Sequence, residues 1–293
     1  MRQISGVITA MVTPFDSSGE LDRAAMRSLA RRLVEQGSHG LVVAGTTGES
    51  PTLSDEEKLA ALDAVLSEVG DEATVIAGTG SNDTRHTIEL TEAARRVGAH
   101  AVLVVAPYYN KPNRRGLREH FRAAAEAAGE LPVIVYNIPS RSVINIPPDL
   151  LAELAAELPN VVAVKQANDE EIQPIEGMDL LAGNDGTYLR TLEAGGAGGI
   201  LVASHVIGPQ MREVYEAAQA GDWERARALD ARLRPVYEAL SVTTNPIPVK
   251  TALELMGVID GRLRLPMVAA SDEERETIRA ALAAQGLLAA GAA

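Results

Sequence analysis

The sequence predicts an α/β protein, a (β/α)8 TIM barrel followed by a C-terminal helical extension. Eight short apolar segments rich in Val, Ile and Leu occur along the chain, and a helical pattern follows each of them. The length of 293 residues suits such a barrel, which usually has about 250 residues plus extensions. An open doubly wound sheet is the alternative, but it usually has fewer strands and a glycine-rich first turn, and no such turn follows the first segment.

The predicted strands are short apolar runs, as expected for parallel strands that are buried on both faces. We assign residues 1–221 to the barrel and 222–293 to a C-terminal helical region without strands. The eight strands are predicted at Gly6–Val12, Gly40–Ala44, Thr74–Gly78, Ala101–Ala106, Pro132–Tyr136, Val161–Lys165, Leu180–Gly183 and Gly199–Ala203.

The helices between them have recognisable ends. Ser54 and Glu57 form a capping box at the start of one helix. Asn82 or Asp83 caps the next, which is expected to end near Gly98. Other helices are predicted over 21–36, 147–158, 188–194 and 272–285.

The composition excludes several classes of protein. No cysteine is present, so disulfides, thiolate metal sites and thiol catalysis are excluded. The net charge of −13 argues against nucleic acid or anionic lipid as a partner, because phosphate binding needs a basic surface. No apolar run reaches the roughly 20 residues that cross a bilayer, and Met1 leads into a strand-like segment without a signal peptide. We therefore expect a soluble, cytoplasmic protein.

Lys165 comes directly after four apolar residues at the end of the sixth predicted strand. In barrels of this kind, chemistry takes place at the carboxyl ends of the strands. An amine close to apolar side chains is poorly solvated and is a usable nucleophile. The alternative is that Lys165 merely marks the water-facing end of its strand.

Other predicted strands end in phenols, hydroxyls and a guanidinium. The segments concerned are residues 45–50 (GTTGES), 107–112 (PYYNKP) and 136–141 (YNIPSR). Together with Lys165 they suit imine chemistry, in which an amine attacks a carbonyl and a phenol transfers protons. The five histidines are scattered and no carboxylate cluster has the spacing of metal ligands, so we predict neither a metal nor a cofactor.

These segments resemble the dihydrodipicolinate synthase (4-hydroxy-tetrahydrodipicolinate synthase) branch of the pyruvate-dependent aldolase and lyase superfamily. The resemblance covers nearly the whole chain and also includes residues 245–250 (NPIPVK). It implies that pyruvate forms a Schiff base with Lys165 and that the enamine attacks L-aspartate 4-semialdehyde. The family is usually a homotetramer built from two tight dimers.

The resemblance also implies roles for the other residues at the strand ends. Tyr136 would transfer protons, and Thr46 would link it to Tyr109 of a neighbouring subunit. Tyr108 and Tyr109 are expected to be extended and therefore to point in opposite directions. The residues predicted to bind substrate are Thr47, Arg141, Ile200 and Gly183.

Two departures from the family pattern bear on specificity. Residues 166–168 are Gln-Ala-Asn, where the family commonly has Glu-Ala-Thr or Asp-Ala. An aldolase acting on a 2-keto-3-deoxy sugar acid, or a non-catalytic barrel that binds keto acids, are the alternatives. The second departure is in the lysine-binding allosteric site of some members, where His86 replaces a glutamate, so we expect weak inhibition by lysine or none. The matching positions are Pro51, Asp55, Lys58, Asn82, His86 and Tyr108, of which Asn82 and Tyr108 keep the usual identity.

Overall fold

The computed structural model describes residues 4–288. Residues 1–3 of the predicted barrel region and residues 289–293 of the predicted helical region lie outside the described residues. Eight parallel strands close into a barrel in which each strand pairs with the next and the last pairs with the first. The predicted fold class is therefore confirmed, and the open sheet is wrong. The strands are β1 Gly6–Ala10, β2 Gly40–Val43, β3 Thr74–Gly78, β4 Ala101–Val105, β5 Val133–Asn137, β6 Val161–Gln166, β7 Asp179–Ala182 and β8 Gly198–Leu201.

Helices follow seven of the eight strands and continue beyond the barrel. The helix predicted after the sixth strand is wrong, because the short connection from β6 to β7 contains only one 3-10 turn, at Asp169–Glu171. They are α1 Arg23–Glu35, α2 Asp55–Val69, α3 Thr84–Val97, α4 Arg114–Ala128, α5 Pro139–Ser142, α6 Pro148–Glu157, α7 Tyr188–Glu193, α8 Ser204–Gln219, α9 Trp223–Ala239, α10 Ile247–Leu255 and α11 Asp272–Ala284. No strand follows β8 within residues 202–288, and α9, α10 and α11 form the C-terminal helical part. The predicted division after residue 221 falls between α8 and α9 and stays a prediction.

The helix ends follow the local rules that the sequence indicates. Ser54 and Glu57 form the expected capping box, with each side chain accepting a hydrogen bond from the other residue's backbone N–H. Asp83, rather than Asn82, caps α3, because its carboxylate accepts from the N–H of Arg85 at 2.9 Å. Gly98 ends α3 in the left-handed conformation at φ 104°.

Along each strand, every second side chain points into the barrel interior, and the others point towards the surrounding helices. Since side chains alternate along a strand, Ala163 and Lys165 point to the same inner side of β6. The interior cluster is aliphatic except for Tyr136, which lies near the carboxyl end of β5. Its buried members are Ile4, Ile8, Ala10, Val42, Ile76, Ala101, Leu103, Ile134, Tyr136, Ile138, Ala163, Leu181 and Ile200.

Strand boundaries differ from the predictions by one or two residues. The first strand ends at Ala10 instead of Val12, because the N–H of Val12 donates to Nε2 of His205 at 3.2 Å and not to a neighbouring strand. The sixth strand extends to Gln166, which pairs with Asn137 across the sheet. Lys165 is therefore the penultimate residue of β6 and is held in the ladder on both sides.

Candidate active site

Lys165 and Tyr136 lie opposite each other on the neighbouring strands β6 and β5. The Lys165 Nζ atom is 4.2 Å from the centroid of the Tyr136 ring, a distance at which an ammonium group is attracted to a ring face. Each residue is 5% exposed. The barrel thus places a buried amine against a buried phenol at the end of the strands where barrel enzymes carry out chemistry.

The residues that follow this pair lock the two strand ends together. The side-chain amide of Asn137 donates to Gln166 Oε1 at 3.0 Å, and the N–H of Asn168 donates to the same oxygen at 3.1 Å. Asn137 Oδ1 accepts from the N–H of Ile146 at 3.0 Å. Gln166 and Asn168, where the sequence departs from the family pattern, are therefore parts of one hydrogen-bond network next to Lys165 and Tyr136 in sequence, with Gln166 buried and Asn168 partly buried.

The loop after β2 carries both candidate threonines. Thr46 is half-buried and Thr47 is 3% exposed. Thr47 Oγ1 accepts a hydrogen bond from the side-chain amide of Asn245 at 3.0 Å. Ala44 and Glu49 bracket the turn with φ angles of 54° and 56°, a left-handed conformation that non-glycine residues seldom adopt and that is often found at functional sites.

Arg141, Gly183 and Ile200 lie around the same end of the barrel in different environments. Arg141 is exposed on α5, and its Nη2 donates to the backbone oxygen of Asn245 at 3.1 Å. Ile200 is fully buried in the interior cluster with Tyr136. At Gly183 a Cβ would lie 2.6 Å from the backbone oxygen of Gln166, so the close approach of β6 and β7 requires glycine there.

A cavity of about 680 Å³ opens at this end of the barrel. Among the predicted site residues, Thr46, Tyr109, Tyr136 and Arg141 line it, whereas Thr47, Lys165, Gly183 and Ile200 lie outside its lining. Lys165 lies next to the cavity wall, since its Nζ contacts the ring of the lining residue Tyr136. The structure therefore gathers the predicted residues around one end of the barrel, four in the cavity wall and the others behind or beside it.

Tyr109 adopts a conformation that the sequence did not indicate. The expected extended backbone is wrong: Tyr109 has φ 73°, and the N–H of Asn110 donates to the backbone oxygen of Tyr108 at 2.9 Å. This is a γ-turn, a strained conformation for a bulky residue. The turn presents Tyr109 with 86% of its surface exposed, while Tyr108 is 37% exposed.

Asp55, Lys58 and His86 also line the cavity, and the last two both contact Asp55. Asp55 Oδ1 accepts from Lys58 Nζ at 3.0 Å, and His86 Nε2 lies 2.8 Å from Asp55 Oδ2. Burial opposes ionisation of Asp55, but the hydrogen bonds from Lys58 and His86 outweigh it and lower its pKa. The one carboxylate of this group is therefore already occupied by two nitrogen donors.

Sequence reasoning assigned no role to Asp185, Asn245 or Lys250, although residues 245–250 were part of the family resemblance. Asp185 follows β7 and accepts hydrogen bonds from the N–H groups of Val202 and Ala203 at 2.9 and 3.1 Å. Burial raises the pKa of Asp185, and the two backbone bonds and the charge of Lys165 oppose this effect. Its place in the triplet 183–185 after the seventh strand was the available signal. Asn245 and Lys250, by contrast, are about 200 residues away in sequence from Thr47 and Glu49, which they contact.

The acidic and histidine side chains of residues 4–288 form no group of three or more that could hold a metal ion. In the same part of the chain, no helix is long and apolar enough to cross a membrane.

The closed barrel has its lysine–tyrosine pair at the carboxyl ends of the strands, and the relatives of the chain are enzymes of the lyase class; together these findings define a (β/α)8-barrel lyase. A family model described as the Dihydrodipicolinate synthetase family matches residues 3–285, and the chain belongs to this family. A 4-hydroxy-tetrahydrodipicolinate synthase of Symbiobacterium thermophilum is 48% identical over 98% of this chain and 100% of its own length.

Solved structures agree with this membership. Dihydrodipicolinate synthase from Cyanidioschyzon merolae with lysine bound is 41% identical, has a TM-score of 0.94, and covers 97% of this chain and 99% of its own. The chloride-inhibited enzyme from Acinetobacter baumannii in complex with pyruvate is 39% identical with a TM-score of 0.93, covering 98% of this chain and 100% of its own. Both likenesses extend over nearly the whole chain.

Proposed function

We propose that the protein condenses pyruvate with L-aspartate 4-semialdehyde through a Schiff base on Lys165 and yields 4-hydroxy-tetrahydrodipicolinate. The observation that carries this proposal is the buried Lys165 amine 4.2 Å from the Tyr136 ring. In a family whose relatives are named as this synthase, the pair supplies both groups that imine chemistry needs. The product belongs to the diaminopimelate route to lysine, and no cofactor is needed beyond the covalent imine.

The mechanism follows from the chemistry of the pair. The neutral Lys165 amine attacks the ketone carbon of pyruvate, and water leaves to give a protonated imine. The iminium nitrogen accepts the electron pair released when the pyruvate methyl group loses a proton, which gives an enamine. The enamine carbon then attacks the aldehyde, and attack by the substrate's own amine releases Lys165. Tyr136, whose ring centroid is 4.2 Å from the Lys165 Nζ atom, is assigned the role of carrying protons to and from the nitrogen.

Substrate binding is assigned to the residues around the pair. Asn245 donates to Thr47 Oγ1, so the Thr47 hydroxyl hydrogen is left to donate to the pyruvate carboxylate. Ile200 and Gly183 complete the pyruvate site. The exposed guanidinium of Arg141 in the cavity wall suits the carboxylate of the semialdehyde, since two parallel N–H groups match two carboxylate oxygens.

Assembly and location are also part of the proposal. The exposed Tyr109 suits an active dimer in which each subunit lends its tyrosine to the neighbouring site, next to Thr46. We propose a homotetramer made of two such dimers, working in the cytoplasm on small molecules, without nucleic acid or membrane partners. The exposed tyrosine supports the shared site of the dimer, and the net charge of −13 argues against nucleic acid and anionic lipid as partners.

The aldehyde distinguishes this function from the sugar-acid aldolase. The purified protein should turn over pyruvate with aspartate semialdehyde at least 10²-fold faster than pyruvate with glyceraldehyde, and Lys165→Ala should lose both activities. Faster turnover of glyceraldehyde would favour the aldolase. Binding of pyruvate without any turnover would favour the non-catalytic barrel.

A further inference from the structure

A buried ion pair connects the threonine loop, defined here as residues 44–49, to the C-terminal helical part. Glu49 ends this loop, and Lys250 lies on α10, about 200 residues further along the chain. Their side chains meet at 2.5 Å between Lys250 Nζ and Glu49 Oε1. Glu49 is 4% exposed and Lys250 is fully buried. Neither residue lines the cavity, so the pair lies behind the site.

Both charges are fixed by further contacts. Lys250 Nζ donates to the backbone oxygen of Arg262 at 2.7 Å and lies 4.2 Å from the centroid of the Phe15 ring. The other carboxylate oxygen of Glu49 accepts from the N–H of Arg264 at 3.0 Å. Burial lowers the pKa of Lys250, and the Glu49 carboxylate opposes this effect. Buried ion pairs of this kind often add little to stability compared with apolar residues of the same size.

The backbone of Glu49 is what connects this pair to the threonines. Its N–H donates to the backbone oxygen of Thr46 at 3.1 Å, and its left-handed φ of 56° closes the loop. The hydroxyl of Thr13 holds the adjacent Gly48 oxygen at 2.7 Å. The side chain of Glu49 is held by Lys250, and its backbone N–H is bonded to Thr46. A displacement of Glu49 would therefore displace the threonine loop.

We propose that Glu49 and Lys250 are positioning residues, whose ion pair holds the threonine loop so that Thr46 and Thr47 keep their places at the site. The inference rests on the proposed function of these two threonines. The C-terminal helical part thereby becomes necessary for proton transfer at the barrel end, although the pair touches no substrate. A left-handed residue in a strained turn is retained when its surroundings hold it there, and the pair provides that hold.

The test removes the charges and keeps the volumes. In Glu49→Gln/Lys250→Met, the amide oxygen still accepts from Arg264 and the methionine still packs against Phe15. The readout is exchange of the pyruvate methyl protons with D2O, which requires the imine and the proton relay and not the aldehyde. We expect exchange to slow by 10-fold or more, while the melting temperature changes by only a few degrees. Borohydride trapping of pyruvate on Lys165 should persist.

A double-mutant cycle separates an effect on the position of Thr46 from a general destabilisation of the fold. If the pair acts through Thr46, the double substitution should slow the proton exchange much less in a Thr46→Val background than in the parent enzyme. An equal decrease of the exchange rate in both backgrounds, or an unchanged rate in the folded double variant, overturns the inference. If the double variant does not fold, Glu49→Asp decides, because it keeps the charge and shortens its reach; it should fold and slow exchange, and full exchange overturns the inference.

The same measurements keep the two proposals apart. If the parent protein neither traps pyruvate on Lys165 nor exchanges its methyl protons, the proposed function has failed. If the parent does both and the folded double variant exchanges at the parent rate, the positioning role alone has failed.

Discussion

The Lys165 amine and the Tyr136 ring face each other across two neighbouring strands, with 4.2 Å between Nζ and the ring centroid. Both residues belong to regular strands, and neither depends on a mobile loop for its place. The proposed nucleophile and the proposed proton carrier are therefore held together before substrate arrives, which is the arrangement that lowers the entropic cost of reaction.

Tyr136→Phe should separate the phenol's chemistry from its packing. The ring and its contact with Lys165 are retained, so the variant should fold and should still form the pyruvate imine. Turnover should fall by about 10²-fold or more, because the proton carrier is lost. Steady-state kinetics with borohydride trapping as the control measures both effects. Wild-type turnover in this variant would remove Tyr136 from the mechanism.

Tyr109 is predicted to serve the site of the neighbouring subunit. Tyr109→Phe and Lys165→Ala should each be nearly inactive, but a mixture should regain activity on subunit exchange. In a mixed dimer, half of the sites have Lys165 from one subunit and Tyr109 from the other. Activity of the mixture is the measurement, and no recovery would show that each tyrosine serves its own barrel.

The matched control for this mixture is Tyr136→Phe with Lys165→Ala. These residues lie on adjacent strands of the same barrel, so no exchange of subunits creates a site with both groups. This mixture should stay inactive under conditions where the Tyr109 mixture recovers. Equal recovery in both mixtures would mean that contamination or reassembly produces the activity.

Free lysine is predicted to inhibit weakly or not at all. A bound lysine needs a carboxylate for its amine, and Asp55 is already contacted by Lys58 and His86 at 3.0 and 2.8 Å. The positive charge of Lys58 also opposes a second cation nearby. Turnover at increasing lysine concentration is the test, with His86→Glu as the comparison that adds a carboxylate. Strong inhibition of the unchanged protein below 1 mM lysine, taken as an order-of-magnitude limit, would contradict the prediction.

Acid should destabilise the fold partly through His205. Burial lowers the pKa of His205 to about 4 from 6.5, so the folded state keeps it neutral, with Nε2 accepting from the N–H of Val12. Between these two values the unfolded chain binds the proton and the folded chain does not, so stability is lost as pH falls. The loss should be about 2 kcal/mol between pH 7 and pH 5.

In the His205→Gln variant, the part of the stability loss between pH 7 and pH 5 that is due to His205 should disappear. Denaturant unfolding at pH 7 and pH 5 gives the difference for each protein, and the variant's difference should be smaller. His120, whose pKa burial also lowers to about 4, is unchanged in both proteins and contributes equally. An identical pH dependence in the two proteins would refute the assignment.

The barrel fold, and the end of the barrel at which the candidate site lies, could be predicted because both depend on local sequence patterns. Apolar runs followed by helical patterns indicate alternating strands and helices, and Lys165 at the end of one such run indicates which end of the barrel carries the proposed site. The capping box of Ser54 and Glu57 was predicted for the same reason, since both residues are on one helical turn.

Other features depend on contacts between distant segments or on a particular backbone conformation. Asn245 contacts Thr47 and Lys250 contacts Glu49 across about 200 residues of sequence, and no local pattern indicates such pairs. The γ-turn at Tyr109 was missed because a left-handed tyrosine goes against its usual preference. Such violations of local rules are expected at functional sites.

The central claim is that Lys165 is the residue that forms the imine with pyruvate. The most direct measurement is to reduce the protein with borohydride in the presence of pyruvate and to locate the adduct by peptide mass spectrometry. The account predicts a single reduced three-carbon adduct on Lys165, absent without pyruvate and absent from Lys165→Ala. An adduct on another lysine, or one that persists in Lys165→Ala, would contradict it.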